Sequence, residues 1–280
     1  MRALGAVVVS LLVLAVVPAS AGAAKWVGLG DSFAAGPLIP NQSLSPLGCL
    51  RSSNNFARLA TASRGDALTD VSCSGARTTH MTNPQSTDAG TNPPQFNALT
   101  ADTAIVSLQI GGNDIGFTEI LQNCVTYNPF GRPCQNRYNP GGNDEITARI
   151  NATAPKVADV IKGIRAKAPG ARILVVNYAA ILPESGSGCW PQVPLAYSDV
   201  PYLRAKQKQL NTMLRDQAAS NGAVYVDDYT ASIGRDACKS SGTRWVEPLV
   251  PGNAAAPFHP NARGMAGIAP VVAAASRLPA

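Results

Sequence analysis

Lys25-Trp26-Val27-Gly28-Leu29-Gly30-Asp31-Ser32-Phe33 is the stretch on which the fold turns. Its apolar run from Trp26 to Leu29, stopped by Gly30-Asp31-Ser32, has the length and punctuation of a strand buried on both faces that leads straight into a turn or helix. Four similar runs follow, at Ala67 to Val71, Ala104 to Ile110, Ile173 to Tyr178 and Ala223 to Val226. Helical patterns lie between them at Asn54 to Ala62, Glu145 to Lys167 with Pro155 limiting or kinking it, Val200 to Ser220, and in the tail after Pro260. Strands alternating with helices predict an α/β fold, a three-layer α/β/α sandwich around about five parallel strands. Segments rich in Pro, Asn and Gly at Pro37 to Gly48, Asn83 to Asn97, Asn128 to Asn143 and Leu182 to Pro201 read as loops.

Gly28-Leu29-Gly30 invites comparison with a dinucleotide-binding fingerprint, but the third glycine of that pattern is Phe33 here. A bulky ring there obstructs the close strand–helix packing the fingerprint needs, which argues against a nicotinamide enzyme. Ser32 then stands at the carboxyl end of a central parallel strand, where ligands collect and backbone N–H groups point outward. Its plain alternative is a helix cap.

Composition narrows the classes further. Of the 280 residues 45% are hydrophobic and 14% charged, enough apolar material for a core and too much for disorder. The net charge of +6 comes without any block of like charges, and aromatics are only 6%, so a nucleic-acid partner is not expected. Transient contact with a lipid headgroup layer is compatible with that charge.

At the amino terminus Arg2 precedes an apolar run from Leu4 to Val17 and then small residues from Ala19 to Ala24. This predicts a secretory signal peptide over residues 1–24, cleaved after Ala21 or Ala24, because the run is short of the roughly 20 residues that span a bilayer. The expected product is an exported, extracellular, monomeric single domain over residues 25–280. Six cysteines in an oxidising compartment permit fifteen connectivities. Their order along the chain suggests three sequential bridges, Cys49 with Cys73, Cys124 with Cys134 and Cys189 with Cys238, each worth on the order of 3 kcal/mol. A zinc site is not expected, since there is no CxxC pair and only two histidines, His80 and His259.

Three further blocks bear on Ser32. Gly111-Gly112-Asn113-Asp114 follows the run ending at Ile110 and puts a side-chain amide donor at the same sheet edge. Gly75, in Cys73-Ser74-Gly75-Ala76, allows its backbone N–H to approach a bound carbonyl. His259 precedes Pro260, which biases it out of the helical region, and is the obvious base. His80 reads as solvent-facing or loop-stabilising, and Asp31 and Asp114 as braces of their turns. Trp190, Phe33 and Phe130 could line an acyl pocket, but aromatic residues in such loops are as often local core, and they are left out of the site.

At these four blocks the chain resembles the SGNH (GDSL-type) serine hydrolases, above all their secreted actinobacterial lipases, esterases and phospholipases. The resemblance implies a flavodoxin-like sheet of five parallel strands, Ser32 as nucleophile, His259 as base, an oxyanion hole of Ser32, Gly75 and Asn113, and the same three cysteine pairs. It departs where the family's aspartate, three residues before the histidine, is Ala256. The expectation is therefore a Ser-His dyad in which a backbone carbonyl around Ala256 or Pro257, Ala256 taken first, orients the imidazole, rather than Asp227, Asp228 or Glu247. The implied activity is hydrolysis of carboxylic esters, of lipids or phospholipids, with neither metal nor organic cofactor. Deacetylation of carbohydrates is the alternative within the chemistry, and a catalytically silent binding protein on the same fold the alternative outside it.

Overall fold

A computed structural model of the chain describes residues 23–277. The signal-peptide reading lies outside those residues except for Ala23 and Ala24. The chain runs through β1 (Lys25–Gly30), α1 (Ser32–Ala35), α2 (Phe56–Ala62), β2 (Ala67–Asp70), β3 (Gln85–Thr87), β4 (Gly90–Asn92), β5 (Ile105–Gln109), α3 (Phe117–Cys124), α4 (Pro133–Tyr138), α5 (Glu145–Lys167), β6 (Arg172–Val176), α6 (Asp199–Ser220), β7 (Val224–Val226), α7 (Asp228–Ala231) and α8 (Ala262–Ala275).

Five of these strands form one sheet in the order β2-β1-β5-β6-β7, and every neighbouring pair is parallel. All five residues of β5 are buried, whereas β2 at the edge alternates exposed and half-buried residues. That is the difference expected between a strand covered on both faces and one at the rim. On the flanking layers α2 packs with α8 and α5 with α6. Side chains cap three of these four helices: Asn55 accepts from the Arg58 N–H, Asp144 from the Thr147 N–H, and Asn261 from the Gly264 N–H.

From β1 the chain first moves outward to β2 and then returns past β1 to β5, so the winding reverses between β1 and β5. The crevice at the carboxyl ends of those two strands is where ligands bind in sheets of this kind. Gly30 and Gln109 are register partners there. Gly30 has φ +151°, and a Cβ on it would lie 2.6 Å from the Gln109 carbonyl oxygen, so only glycine permits this approach. The buried Gln95 amide bonds both the Gly30 N–H, at 2.8 Å, and its carbonyl, at 2.9 Å.

Two segments read as loops carry structure. Asn83 to Asn97 contains the β3–β4 hairpin, and Asn128 to Asn143 contains α4. Tertiary ties hold α4: the Cys124–Cys134 disulfide and the buried Asp199 carboxylate, which accepts the Cys134 and Gln135 N–H groups at 3.0 Å each. Local propensity alone misses such a helix. The other two bridges join Cys49 to Cys73 and Cys189 to Cys238. No described helix is long and apolar enough to cross a membrane.

Candidate active site

Ser32 is the first residue of α1, immediately after Asp31, whose side chain accepts the Phe33 N–H at 3.0 Å as the helix cap. The other Asp31 oxygen accepts the Tyr178 hydroxyl at 2.5 Å, and that hydroxyl in turn accepts the Gly112 N–H at 2.7 Å. This chain of bonds ties together the ends of β1, β5 and β6, three strands distant in sequence. Burial pushes the Asp31 carboxyl up to about 7, although the Tyr178 hydroxyl and the Phe33 N–H work against the rise. A Cβ at Gly112 would stand 3.0 Å from the Tyr178 hydroxyl oxygen, so a larger residue would crowd that bond.

His259 comes from the loop before α8, and its Nε2 lies 2.7 Å from Ser32 Oγ. Its Nδ1 lies 2.7 Å from the Pro257 carbonyl oxygen. A carbonyl only accepts, so Nδ1 carries the ring proton and Nε2 is left to accept from the serine hydroxyl. The choice of Ala256 as orienting carbonyl is thereby corrected to Pro257. The Ala256 carbonyl is engaged in closing the turn, where it accepts the His259 backbone N–H at 3.2 Å.

The base loop is set by strain and by a buried charge. Phe258, buried, has φ +59°, a left-handed conformation unusual for a bulky residue and one that surrounding contacts must hold. The Glu247 backbone does so, accepting from the Phe258 N–H and donating to the His259 carbonyl, both at 3.0 Å. Burial disfavours ionisation of the Glu247 side chain, but Arg244, Asn253, Asn261 and the Gly252 N–H surround it and bring its pKa down to about 2. Arg244 approaches to 2.7 Å, Asn253 Nδ2 to 2.7 Å and Asn261 Nδ2 to 2.6 Å. Glu247 thus positions the loop without hydrogen bonding to the imidazole. Asp227 caps α7 through Thr230 and accepts from Asn177, and the buried Asp228 oxygens have no hydrogen-bond partner, so neither bonds the ring. Burial lowers the His259 pKa below its ordinary 6.5, against the Pro257 carbonyl, which favours the charged ring.

Gly75 has φ +79°, reached without penalty only by glycine. Asn113 Nδ2 donates to the Ala76 carbonyl at 2.9 Å, which joins the Asn113 turn to the turn carrying Gly75 and leaves a second amide hydrogen. Asp114 secures the same pair of turns by accepting from Thr78 through its N–H at 3.0 Å and its hydroxyl at 2.5 Å. Among the described residues, the Ser32 and Gly75 N–H groups have no hydrogen-bond partner. Unpaired N–H donors near a serine hydroxyl are the kind of group that stabilises a tetrahedral oxyanion.

Ser32, Asn113 and His259 open into a cavity whose walls are mostly apolar, including Ile115, Phe117, Ile120, Leu121, Ile146, Ile181, Leu182, Leu203 and Leu210, with Thr118, Lys206 and Gln207 among the polar lining. Phe33, buried in the core, lines it too, and packs edge-on against Tyr178 with centroids 5.1 Å apart. Tyr178 went unnoticed because a tyrosine ending a strand carries no local signal of what its hydroxyl meets. His80 lies apart, accepting the Arg77 N–H. No cluster of three metal-binding side chains occurs among the described residues.

The profile of the GDSL-like lipase/acylhydrolase family matches residues 29–266 of the chain. Lipase 2 of Streptomyces coelicolor is 40% identical over 245 residues, 85% of this chain and 81% of its own. An esterase of Streptomyces scabiei is 29% identical, with 82% of this chain and 78% of its own covered. In three dimensions the fold is similar to phospholipase A1 from Streptomyces albidoflavus NA297, with TM-score 0.76 and 28% identity over 90% of this chain and 99% of that one. The extracellular lipase of Streptomyces rimosus superposes with TM-score 0.75 and 27% identity, covering 90% and 100%.

Proposed function

The chain belongs to the GDSL-like lipase/acylhydrolase family and is an ester hydrolase, and from that premise we propose that it is exported and cleaves lipid carboxylic esters through a Ser32–His259 dyad. The observation that carries the proposal is the 2.7 Å contact between Ser32 Oγ and His259 Nε2 at the mouth of an apolar cavity. In the first half-reaction His259 Nε2 takes the Ser32 proton as Oγ attacks the ester carbonyl carbon. The carbonyl oxygen becomes an oxyanion between the Ser32 and Gly75 N–H groups and the Asn113 amide, each donor worth about 2.7–4 kcal/mol by analogy with other oxyanion holes. Protonated His259 then gives its proton to the departing alcohol, leaving an acyl-Ser32. Water enters, His259 deprotonates it, and the acid is released with the proton back on Ser32. The Pro257 carbonyl holds the Nδ1 proton throughout.

The cavity walls favour an acyl chain of several carbons over an acetyl group, because each buried methylene contributes about 0.8 kcal/mol. The phospholipase A1 and lipase names of the similar proteins support the lipid reading, and the three disulfides support export. The test is a series of esters from acetyl to palmitoyl beside acetylated sugars, run with the protein and with Ser32→Ala. The expected result is a rate maximum beyond acetyl, labelling of Ser32 by a fluorophosphonate, and loss of both in the variant. Faster turnover of acetylated sugars than of any longer acyl ester would reverse the substrate assignment, and full activity of Ser32→Ala would remove the dyad.

A further inference from the structure

Tyr127 and Phe130 are 96% and 85% exposed, although aromatic side chains dominate cores and recognition surfaces because of the large apolar area they carry. They stand in the loop between α3 and α4 that the Cys124–Cys134 disulfide closes. Phe130 joins neither the core nor the cavity wall: its ring packs edge-on against Tyr197, with centroids 5.8 Å apart, and otherwise faces solvent.

Slack backbone does not explain the exposure. The Thr126 N–H donates to the Pro194 carbonyl and the Tyr197 N–H to the Pro129 carbonyl, both at 2.8 Å. Trp190 Nε1 donates to the Thr126 carbonyl at 3.2 Å, and Ser198 Oγ to the Gly131 carbonyl at 2.7 Å. A tied loop therefore holds two aromatic rings in water.

Its place and charge identify what those rings meet. Phe117, Ile120 and Leu121 of α3 form part of the acyl cavity wall, and that helix is only about 12 Å long, so the aromatic loop begins where the wall ends. Residues 120–143 carry Arg132 and Arg137 and no aspartate or glutamate. Asp199, which feels the Arg132 charge, is buried and turned to the Cys134 and Gln135 N–H groups, and Glu119, which feels Arg137, is paired with Arg149. Exposed aromatic rings flanked by arginines, on a chain of net charge +6, complement a headgroup layer bearing negative charge, where such rings settle at the apolar–polar boundary.

We propose that the 124–134 loop is a lipid-surface docking element, in which Tyr127 and Phe130 enter the headgroup region, Arg132 meets phosphate, and the cavity mouth is brought against the bilayer. The proposal rests on the ester-hydrolase reading of the adjoining site. The test compares the protein with Tyr127→Ser/Phe130→Ser and with Arg132→Gln, using sedimentation with vesicles of ether-linked phosphatidylcholine and phosphatidylglycerol in equal parts, which present headgroups but no cleavable ester. The double variant is expected to lose about tenfold or more in vesicle partitioning while keeping kcat/KM on a water-soluble short-chain ester within about twofold. Arg132→Gln is expected to weaken binding to the mixed vesicles and leave binding to pure phosphatidylcholine unchanged. Equal partitioning of the protein and the double variant overturns the proposal. So does a dimer in sedimentation velocity that only the double variant abolishes, since the patch would then belong to a second copy. Absence of turnover on the soluble ester by the unaltered protein would instead strike the hydrolase reading, which separates the two failures.

Discussion

The turn that presents Ser32 and the loop that presents His259 meet at one hydrogen bond, yet opposite electrostatic means hold them. Behind Ser32 stands Asp31, a buried carboxyl whose pKa rises to about 7, bonded to the Tyr178 hydroxyl and the Phe33 N–H with no cation among its hydrogen-bond partners. Behind His259 stands Glu247, equally enclosed but held ionised, with a pKa near 2, by Arg244 and the amides of Asn253 and Asn261. Burial by itself does not decide the charge of a carboxyl; the number of donors aimed at it does. The Ser32 turn lies against a cavity with mostly apolar walls, and its brace takes only neutral donors. The base loop carries a strained residue, Phe258, and uses a saturated ion pair to keep it in place.

The comparison breaks most visibly at the base. His259→Ala is expected to lower kcat by about 10⁶ with the fold intact, measured by ester hydrolysis alongside thermal unfolding. A loss below tenfold would show that another group deprotonates Ser32.

Glu247→Gln comes next and should act on stability rather than on chemistry. One oxygen becomes an NH₂ facing two amide donors, and Arg244 keeps a buried charge without its counter-ion, at a cost of about 3–5 kcal/mol. Denaturant titration reads that loss, and kcat of the folded fraction should fall by less than about tenfold, since Pro257 and not Glu247 bonds the imidazole. The pH dependence follows with its sign. Glu247, depressed from 4.5 to about 2, contributes stability that is complete above pH 4.5 and disappears as pH falls toward 2. The variant should lack that portion of the acid transition.

Asp31 has the reverse sign. Its pKa is raised from 3.8 to about 7, so its penalty is complete above pH 7 and fades as pH falls toward 3.8. Tyr178→Phe sharpens this side, removing the partner of both Asp31 and the Gly112 N–H. A stability loss of about 1–3 kcal/mol is expected, with kcat lowered about tenfold and KM nearly unchanged, because the Gly112–Asn113 turn loosens while the apolar walls stay. An equal loss in KM would place Tyr178 in substrate binding instead.

The smallest effects are expected at Asp227 and in the acid limb of the rate profile. Asp227→Asn should change kcat by less than about tenfold, against the roughly 10⁴ lost when a triad acid is neutralised. A thousandfold loss would mean that this side chain reaches the imidazole during turnover. Since burial lowers the His259 pKa, kcat/KM should begin to fall only below pH 6.5 as the pH is reduced.

Much of this was legible in the chain, for reasons that differ from residue to residue. The five sheet strands and four of the helices announce themselves through apolar runs, helical periodicity and caps such as Asn55 and Asn261. Ser32, Asn113 and Gly75 are marked by the glycines and turns that end strands, and His259 by scarcity, one of only two histidines. These are local signals, and sequence carries local signals well. It does not state which of two adjacent carbonyls faces a ring nitrogen: Pro257 rather than Ala256 bonds Nδ1 because the tight turn consumes the Ala256 carbonyl. Nor does it say that the Tyr178 hydroxyl spans Asp31 and Gly112, that Phe33 walls the cavity, or that Phe130 faces solvent. Each of these depends on where segments distant in the chain meet to within a few tenths of an ångström, a quantity that only packing and the satisfaction of buried polar groups decide.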